Sequence, residues 1–488
     1  MRNSVFVLMF LLSLFSCKKE FEGEYNSGNY PETFMVVDSI FRNGEIRYTT
    51  TVEAHWWGTI ESGYIKGFEV STDNMATWTF TAKQNGTFVL TLPIGSDTAN
   101  IPLFVRAVSD KGLTDPTPAS LIYPIRNSMP SINFIGDDTN RTSSFPALWL
   151  SWIIKDDDGP ADIDYIELAL NDTVSNKITL PSSVVNTTLV GEKNGLNFTG
   201  DFIVYNNPQK ILFGQKLSGI LYNDSNTILI RAVDKSGGKS DWDVLRLYIR
   251  KPGNGLLFIS DYTGSSRTRA LNFYKSRIQN LGSAYSAYDI VQSSARELPT
   301  DNFALTKTFE YFNRIVWITN NYIQSLRTAQ LTTSSFFTNG GKMFLALEFI
   351  SSERSNDDPA FSFTPIKELV NSGDRLLKMK MGDKIIPYDL SWPSLKASEP
   401  IDYAIPFFTH TTSSGLYAYD SLATAQLTST GLGNSFPWTG QSNVLSKRIN
   451  TQSGKTDMVV LTVPMYLMNG DNNADDFFQK IVLNELQF

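Results

Sequence analysis

Residues 338–348, TNGGKMFLALE, decide the reading of the second half of the chain. Thr338 and Asn339 close a helical pattern, Gly340-Gly341 stops it, and Lys342 to Glu348 begin a run without polar alternation. A continuous apolar strand is buried on both faces, as in a parallel sheet between helices. The same grammar surrounds it. "GLLFISDY" (255–262) is such a strand, and "SRTRALNFYKSRIQNLG" (266–282) carries apolar residues at helical spacing up to Gly282. "YSAYDIV" (285–291) and "NRIVWITNN" (313–321) are two more strands, and "QSLRTAQLTTSSFFTNGG" (324–341) is the helix that leads into the quoted stretch. "DMVVLTVPMYL" (457–467) is a further buried strand, and 474–488 a closing helix. Strand–helix alternation of this kind predicts an α/β doubly wound sheet.

The chain has 488 residues, more than one core organises, and about three domains is the natural expectation. A formal charge of -7 without a basic stripe excludes a nucleic-acid partner, since phosphate binding needs clustered Lys and Arg.

At the N-terminus Arg2 precedes a short apolar run, Val5 to Leu14, followed by Leu14-Phe15-Ser16-Cys17. The run is too short to span a bilayer and reads as a signal peptide. Leu14 and Ser16 resemble a bacterial lipobox before a lipidated cysteine, and the resemblance implies lipidation (palmitate among the acyl chains) at Cys17. Cys17 is the one cysteine in the sequence, which excludes an intramolecular disulfide and a Cys-ligated zinc site. Residues 17–31 read as a flexible tether. Lys18, Lys19, Glu20 and Glu22 resemble the export signal of Bacteroidetes surface lipoproteins. The resemblance implies an outer-membrane protein held by its lipid, facing the periplasm or the cell surface.

Residues 32–251 are short strands and turns. Val52, Ala54 and Trp56 alternate onto one face, as do Leu148, Leu150 and Trp152. "ILIRAVDKSGG" (228–238) repeats "LFVRAVSDKG" (103–112), so the pattern is an internal two-fold repeat with an insertion near 175–220 in the second copy. These residues resemble fibronectin type III or related Ig-like sandwiches, in which the tryptophan of the second strand is a core residue; Trp56 and Trp152 take that place. The expected organisation is a signal peptide (1–16), a tether (17–31), sandwiches over 32–126 and 127–251, and the α/β domain over 252–488. An insertion near 351–440 is expected to cover the edge of the last sheet as a lid or subdomain.

Three features of the sandwiches invite a functional reading. His55 beside Trp57 has the composition of a sugar-stacking pair, though a second sheet or loop is expected to cover it. Asp156-Asp157-Asp158 with Asp162 and Asp164 has oxygen ligands for calcium, yet acidic Asp-Gly turns are common without metal, so no metal site is expected. Arg106 and Arg231 stand at equivalent places and should serve as packing stems.

The α/β phrases quoted above resemble the class I glutamine amidotransferase-like fold. In that family the strand after the Gly-Gly leads into a turn carrying a catalytic Cys. Here Ala346, Leu347 and Glu348 occupy those positions and none forms a thiolate. The late segment supplies no His, and His410 has no nucleophile assigned to it. "SGKT" (453–456) lacks the first glycine of a phosphate loop and reads as a hairpin turn. No catalytic residue and no cofactor is therefore expected, and an enzyme is the less favoured reading. Ligands of open α/β sheets bind beyond the carboxyl ends of the strands. Those ends carry Asp261, Tyr262, Asn320, Asn321 and Glu348, which either hydrogen-bond a ligand or cap helices and line a buried interface. The reading is a non-catalytic cell-envelope lipoprotein whose head binds a glycan, a peptide or an envelope protein. The alternatives are a hydrolase working through those carboxylates and a structural part of a surface assembly.

Overall fold

The structure, a computed structural model, describes residues 30–41, 49–93, 96, 98–195, 197–207, 210–253, 255–282, 285–289, 299–351, 359–411, 415–431 and 433–488. The expected signal peptide, Cys17 and the tether up to position 29 lie outside the described residues. Among the described residues no helix is long and apolar enough to cross a membrane.

The first two sheets face each other. One joins Glu32–Phe41, Thr49–Thr59 and Asn85–Thr91; the other runs Thr79–Thr81, Ile65–Ser71, Thr98–Ser109, Ala119–Arg126. Every pairing is antiparallel. Ala54 and Trp56 point inward against Phe68, Leu103, Val105 and Ala107, and Val52 on the same face packs with Leu90, Leu92, Tyr123 and Ile125, because alternate strand residues share a face. Trp56 is 2% exposed and satisfies its buried indole by donating to the Lys83 carbonyl at 3.0 Å.

Two five-stranded sheets follow, again face to face. Leu148, Leu150 and Trp152 repeat the inward triplet, and Trp152 donates to the Val184 carbonyl at 3.0 Å. The insertion near 175–220 adds the hairpin Asn197–Asn206/Ile211–Ser218 to the edge of one sheet. The repeat extends to the outer faces. Glu69 lies opposite Arg106 in register as Glu167 lies opposite Arg231. Each arginine pairs with its glutamate, and each guanidinium covers a tryptophan ring: Trp78 at 4.0 Å and Trp242 at 4.4 Å. These arginines are thus ion-paired and stacked, more than packing stems.

The remaining core is built on a nine-stranded sheet. Its parallel part comprises β1 (Leu256–Asp261), β2 (Ser286–Asp289), β3 (Arg314–Thr319), β4 (Lys342–Leu347) and β5 (Lys455–Leu461), in the order β2-β1-β3-β4-β5. The connecting helices are α1 (Arg267–Asn280), α2 (Asn302–Phe309), α3 (Tyr322–Thr332) and α4 (Ser334–Thr338), and α5 (Ala474–Gln479) closes the chain with a π-helical turn, Lys480–Glu485. Phe258, Val316, Phe344 and Val459 meet α1 and α5 on one face. Leu257, Ile315, Met343 and Met458 meet α2, α3 and α4 on the other. Burial of both faces explains why these strands lack polar alternation.

In the stretch 338–348, Gly340 has φ +80, and its N–H caps α4 by donating to the Phe337 carbonyl at 2.9 Å. A Cβ on Gly341 would stand 2.5 Å from the Phe336 carbonyl oxygen. The two glycines are therefore needed for different reasons, one for conformation and one for space.

The segment near 351–440, expected as a lid or subdomain, forms two small sheets of its own, Ile366–Leu369 with Phe407–Thr409 and Leu376–Lys378 with Thr428–Gly431 and Asn434–Pro437, and also adds to the large sheet. Its strands Tyr417–Ala425, Lys384–Pro387 and Leu395–Lys396 extend the same sheet beyond β5 through the antiparallel strand Asn443–Asn450. Strand-edge hydrogen bonding, left open by β5, explains this continuation. "SGKT" lies at the hairpin between Asn443–Asn450 and β5, as expected.

The second pair of sheets and the α/β core share one apolar cluster. Phe145, Ala147 and Val190 are buried with Phe309, Phe312 and Trp317. Tyr311 donates to the carbonyls of Pro146 (2.9 Å) and Gly191 (3.2 Å), and Arg250 reaches the Ala287 carbonyl at 2.9 Å.

Candidate functional site

In the strand order β2-β1-β3-β4-β5 the direction of winding reverses between β1 and β3. Ligands of open α/β sheets sit at that crevice, beyond the carboxyl ends. A cleft of about 430 Å³ opens there, lined by Asp261 from the end of β1, Trp317 from β3, and Asn321, Gln324 and Ser325 from the start of α3. Asn302 and Leu305 of α2 form the opposite wall. Ser325 donates to the Asp261 carboxylate at 2.6 Å and contacts the Thr319 hydroxyl at 2.9 Å. Thr319 accepts from the Asn321 N–H at 2.8 Å, which holds the strand-to-helix turn. Asp301 caps α2 by accepting from the Ala304 N–H at 2.9 Å.

The chemistry of this lining is specific. Among the described residues Asp261 is its one ionisable side chain; Asn321, Gln324, Ser325, Asn302, Thr300 and Thr328 are neutral donors and acceptors. Trp317 is fully buried behind this wall, and its indole N–H has no hydrogen-bond partner among the described residues. A single carboxylate with many amides and hydroxyls suits a neutral hydroxyl-rich or amine-bearing ligand and disfavours an anion.

The five residues singled out from sequence do not form one site. Asp261 and Asn321 meet in the cleft. Asn320 is 5% exposed and bonds the Thr263 backbone in both directions, at 2.9 and 3.0 Å, so its amide clasps two strand ends together. Tyr262 and Glu348 lie on the opposite face of the sheet, because each is one residue out of phase with the cleft side of its strand. There the Tyr466 hydroxyl donates to the Glu348 carboxylate at 3.0 and 3.2 Å. Burial pushes the Glu348 carboxyl up, and the Tyr466 and Tyr262 phenols pull it partly back. Tyr262 is fully buried, and burial first, then the neighbouring Glu348, raises its phenol well above the usual range. Arg269 lies over the Tyr466 ring at 5.6 Å and pairs with Glu399.

Sequence reasoning missed Trp317, Gln324 and Ser325 as cleft residues. The signal available for the last two was their position in the first turn of a helix after a buried strand.

In the first pair of sheets His55 and Trp57 are not covered. Trp57 is 39% exposed and stacks between Phe34 (5.5 Å) and His55 (5.9 Å), and His55 contacts Asp38. The sheet there has three strands, with no further strand or loop seated on its outer face among the described residues. His410 lies against Tyr419 at 4.9 Å, and burial lowers its pKa.

No family model matches the chain, and no curated protein matches it. Among solved structures the similar ones are fibronectin III-like modules. The fibronectin(III)-like modules of Clostridium thermocellum CbhA are 12% identical, cover 44% of this chain and 94% of that one, and give a TM-score of 0.18. The central fibronectin-III array of RIM-binding protein is 10% identical over 46% of this chain and 71% of that one, with a TM-score of 0.15. A tetra-tandem repeat in the extending region of a large adhesion protein is 12% identical over 44% and 49%, with a TM-score of 0.20. The sandwich architecture itself rests on the strand pairing described above.

Proposed function

We propose that this chain is a lipid-anchored, non-catalytic protein of the cell envelope whose α/β head binds an extracellular glycan or peptide in the cleft between β1 and β3. The observation that carries the reading is the position of that cleft at the winding reversal, with the Asp261 carboxylate in its wall. The order β2-β1-β3-β4-β5 with helices on both faces supports the doubly wound reading of the head and is compatible with a degenerate amidotransferase-like ancestry. In the lipoprotein reading, Cys17 carries the anchor and the two sandwiches form a stalk. The core shared by the second sandwich and the head supports a stiff upper joint.

The rival hydrolase needs two carboxylates at one place. Asp261 and Glu348, the pair expected to supply them, face opposite sides of the sheet, which favours binding over turnover.

Calorimetric titration of the chain against a panel of glycans and short peptides tests the reading. A ligand lost on Asp261→Asn and retained on Glu348→Gln supports it. Turnover of that ligand, abolished by either substitution, would favour the hydrolase.

A further inference from the structure

We infer that the junction between the first and second sandwiches is a calcium site, formed by Asp156, Asp158, Asp162 and Asp234 with the side-chain oxygen of Asn127. Ligand oxygens of Asp156, Asp158 and Asp162 lie within 4.8 Å of one another in the turn between Ala147–Lys155 and Ile163–Leu170. Asp234, 1% exposed, ends the neighbouring strand Asp224–Asp234 and pairs in register with Ile163, and the Lys235 N–H beside it donates to the Asp162 carbonyl at 2.9 Å. Asp234 therefore flanks the three grouped carboxylates.

A second observation is independent of the acidic turn. Asn127 leaves the first sandwich directly after Ala119–Arg126 and is 6% exposed. Its amide nitrogen donates to Asp234 Oδ2 at 2.7 Å, at the edge of the cluster. Its Oδ1 is buried and has no hydrogen-bond partner among the described residues. Asp162, 4% exposed, also has an unpartnered oxygen, as does Asp156. All three orphan atoms are acceptors. The N–H groups of Ser128, Asp158 and Gly238 and the Asn127 amide already serve other oxygens of the cluster, so a cation supplies what these three lack.

The ligand type selects the ion. Every group is a hard oxygen donor, without His or Cys, and they come from separate segments. Calcium accepts six to eight such oxygens in flexible geometry, whereas magnesium demands a regular octahedron and retains its water. The consequence is mechanical. Ser128, next to Asn127, already donates its N–H to Asp158 Oδ2 at 2.7 Å. An ion held by Asn127 and the 156–162 turn would fasten the exit of the first sandwich to the second and stiffen the stalk.

The test uses the full chain, titrated with calcium chloride alone and with magnesium chloride alone, by calorimetry and thermal melting. Calcium should bind with a dissociation constant on the order of 0.1–1 mM, the range of extracellular modules, and raise Tm, with magnesium much weaker. Asp162→Asn and Asn127→Ala should each weaken calcium binding at least about tenfold. Without calcium, Asp162→Asn should melt at or above the unsubstituted chain, because it relieves repulsion. Amide exchange across residues 126–130 should slow on adding calcium. Asp158→Asn, at a half-buried position, serves if Asp162→Asn fails to fold. Absence of binding up to about 10 mM calcium, or binding undiminished in both Asn127→Ala and the Asp substitution, overturns the proposal.

Discussion

Ser325, in the first turn of α3, donates a 2.6 Å hydrogen bond to Asp261, the last residue of β1. The bond lies at the crevice where the winding of the sheet reverses, and it fixes the Asp261 carboxylate of the cleft. Hydrogen bonds to charged groups contribute about 1.5–3 kcal/mol. Ser325→Ala should therefore lower the unfolding free energy by about 1–2 kcal/mol. A denaturant midpoint unchanged by Ser325→Ala would show that this bond does not position Asp261.

The stretch TNGGKMFLALE makes its own prediction. A methyl group at 341 would meet the Phe336 carbonyl at 2.5 Å and its ring at 2.6 Å. Neither backbone nor buried ring yields cheaply, so Gly341→Ala should cost about 1–3 kcal/mol, as overpacking does. Gly340→Ala should cost less, since nothing stands near its added carbon and strain at φ +80 is its one penalty. Equal loss of stability in the two substitutions would contradict the division of roles.

The repeated Glu–Arg–Trp clusters should differ in weight. The Glu167 side chain is 6% exposed and bonds both Lys177 and Arg231, whereas that of Glu69 is 24% exposed. Arg231→Ala leaves the buried Glu167 carboxylate with Lys177 alone and uncovers Trp242, and should cost about 2–3 kcal/mol, against about 1 kcal/mol for Arg106→Ala. Chemical denaturation of the two variants compares them directly.

Glu348 gives a pH signature. Its carboxyl is raised by burial, with Tyr466, Tyr262 and Tyr274 facing it and Arg269 above Tyr466. A folded-state pKa above the unfolded 4.5 means that its contribution is fully present below pH 4.5 and is lost as pH rises through the folded value. Glu348→Gln removes this loss. The variant should gain stability relative to the unsubstituted chain between pH 4.5 and pH 7, measured as the difference in Tm. A difference constant across that interval would show that Glu348 stays ionised on folding without cost.

Much of the architecture was legible because burial leaves a periodic trace. Buried parallel strands read as apolar runs, and inward tryptophans fell on every second residue. What depends on pairing between distant segments left no such trace. The segment 351–440 was expected as a lid or subdomain; three of its strands continue the sheet and the others pair among themselves, since hydrogen-bond partnership of an edge is not written locally. Helix α2, eight residues long, escaped notice, and with it one wall of the cleft. Asp261 and Glu348 both end strands of the same sheet, but a one-residue difference in phase sends them to opposite faces. The Asp156–Asp162 turn was legible as acidic, while Asn127 and Asp234 reach it only through folding.

The cleft between β1 and β3 is the claim on which the functional reading stands. Its most direct measurement is calorimetric titration of a ligand identified on a glycan and peptide panel against the chain, Asp261→Asn, Gln324→Ala and Glu348→Gln. Binding lost or weakened at least about tenfold by the first two and unchanged by the third is the predicted result. A ligand that binds all four proteins alike, or a panel that yields none, would contradict it.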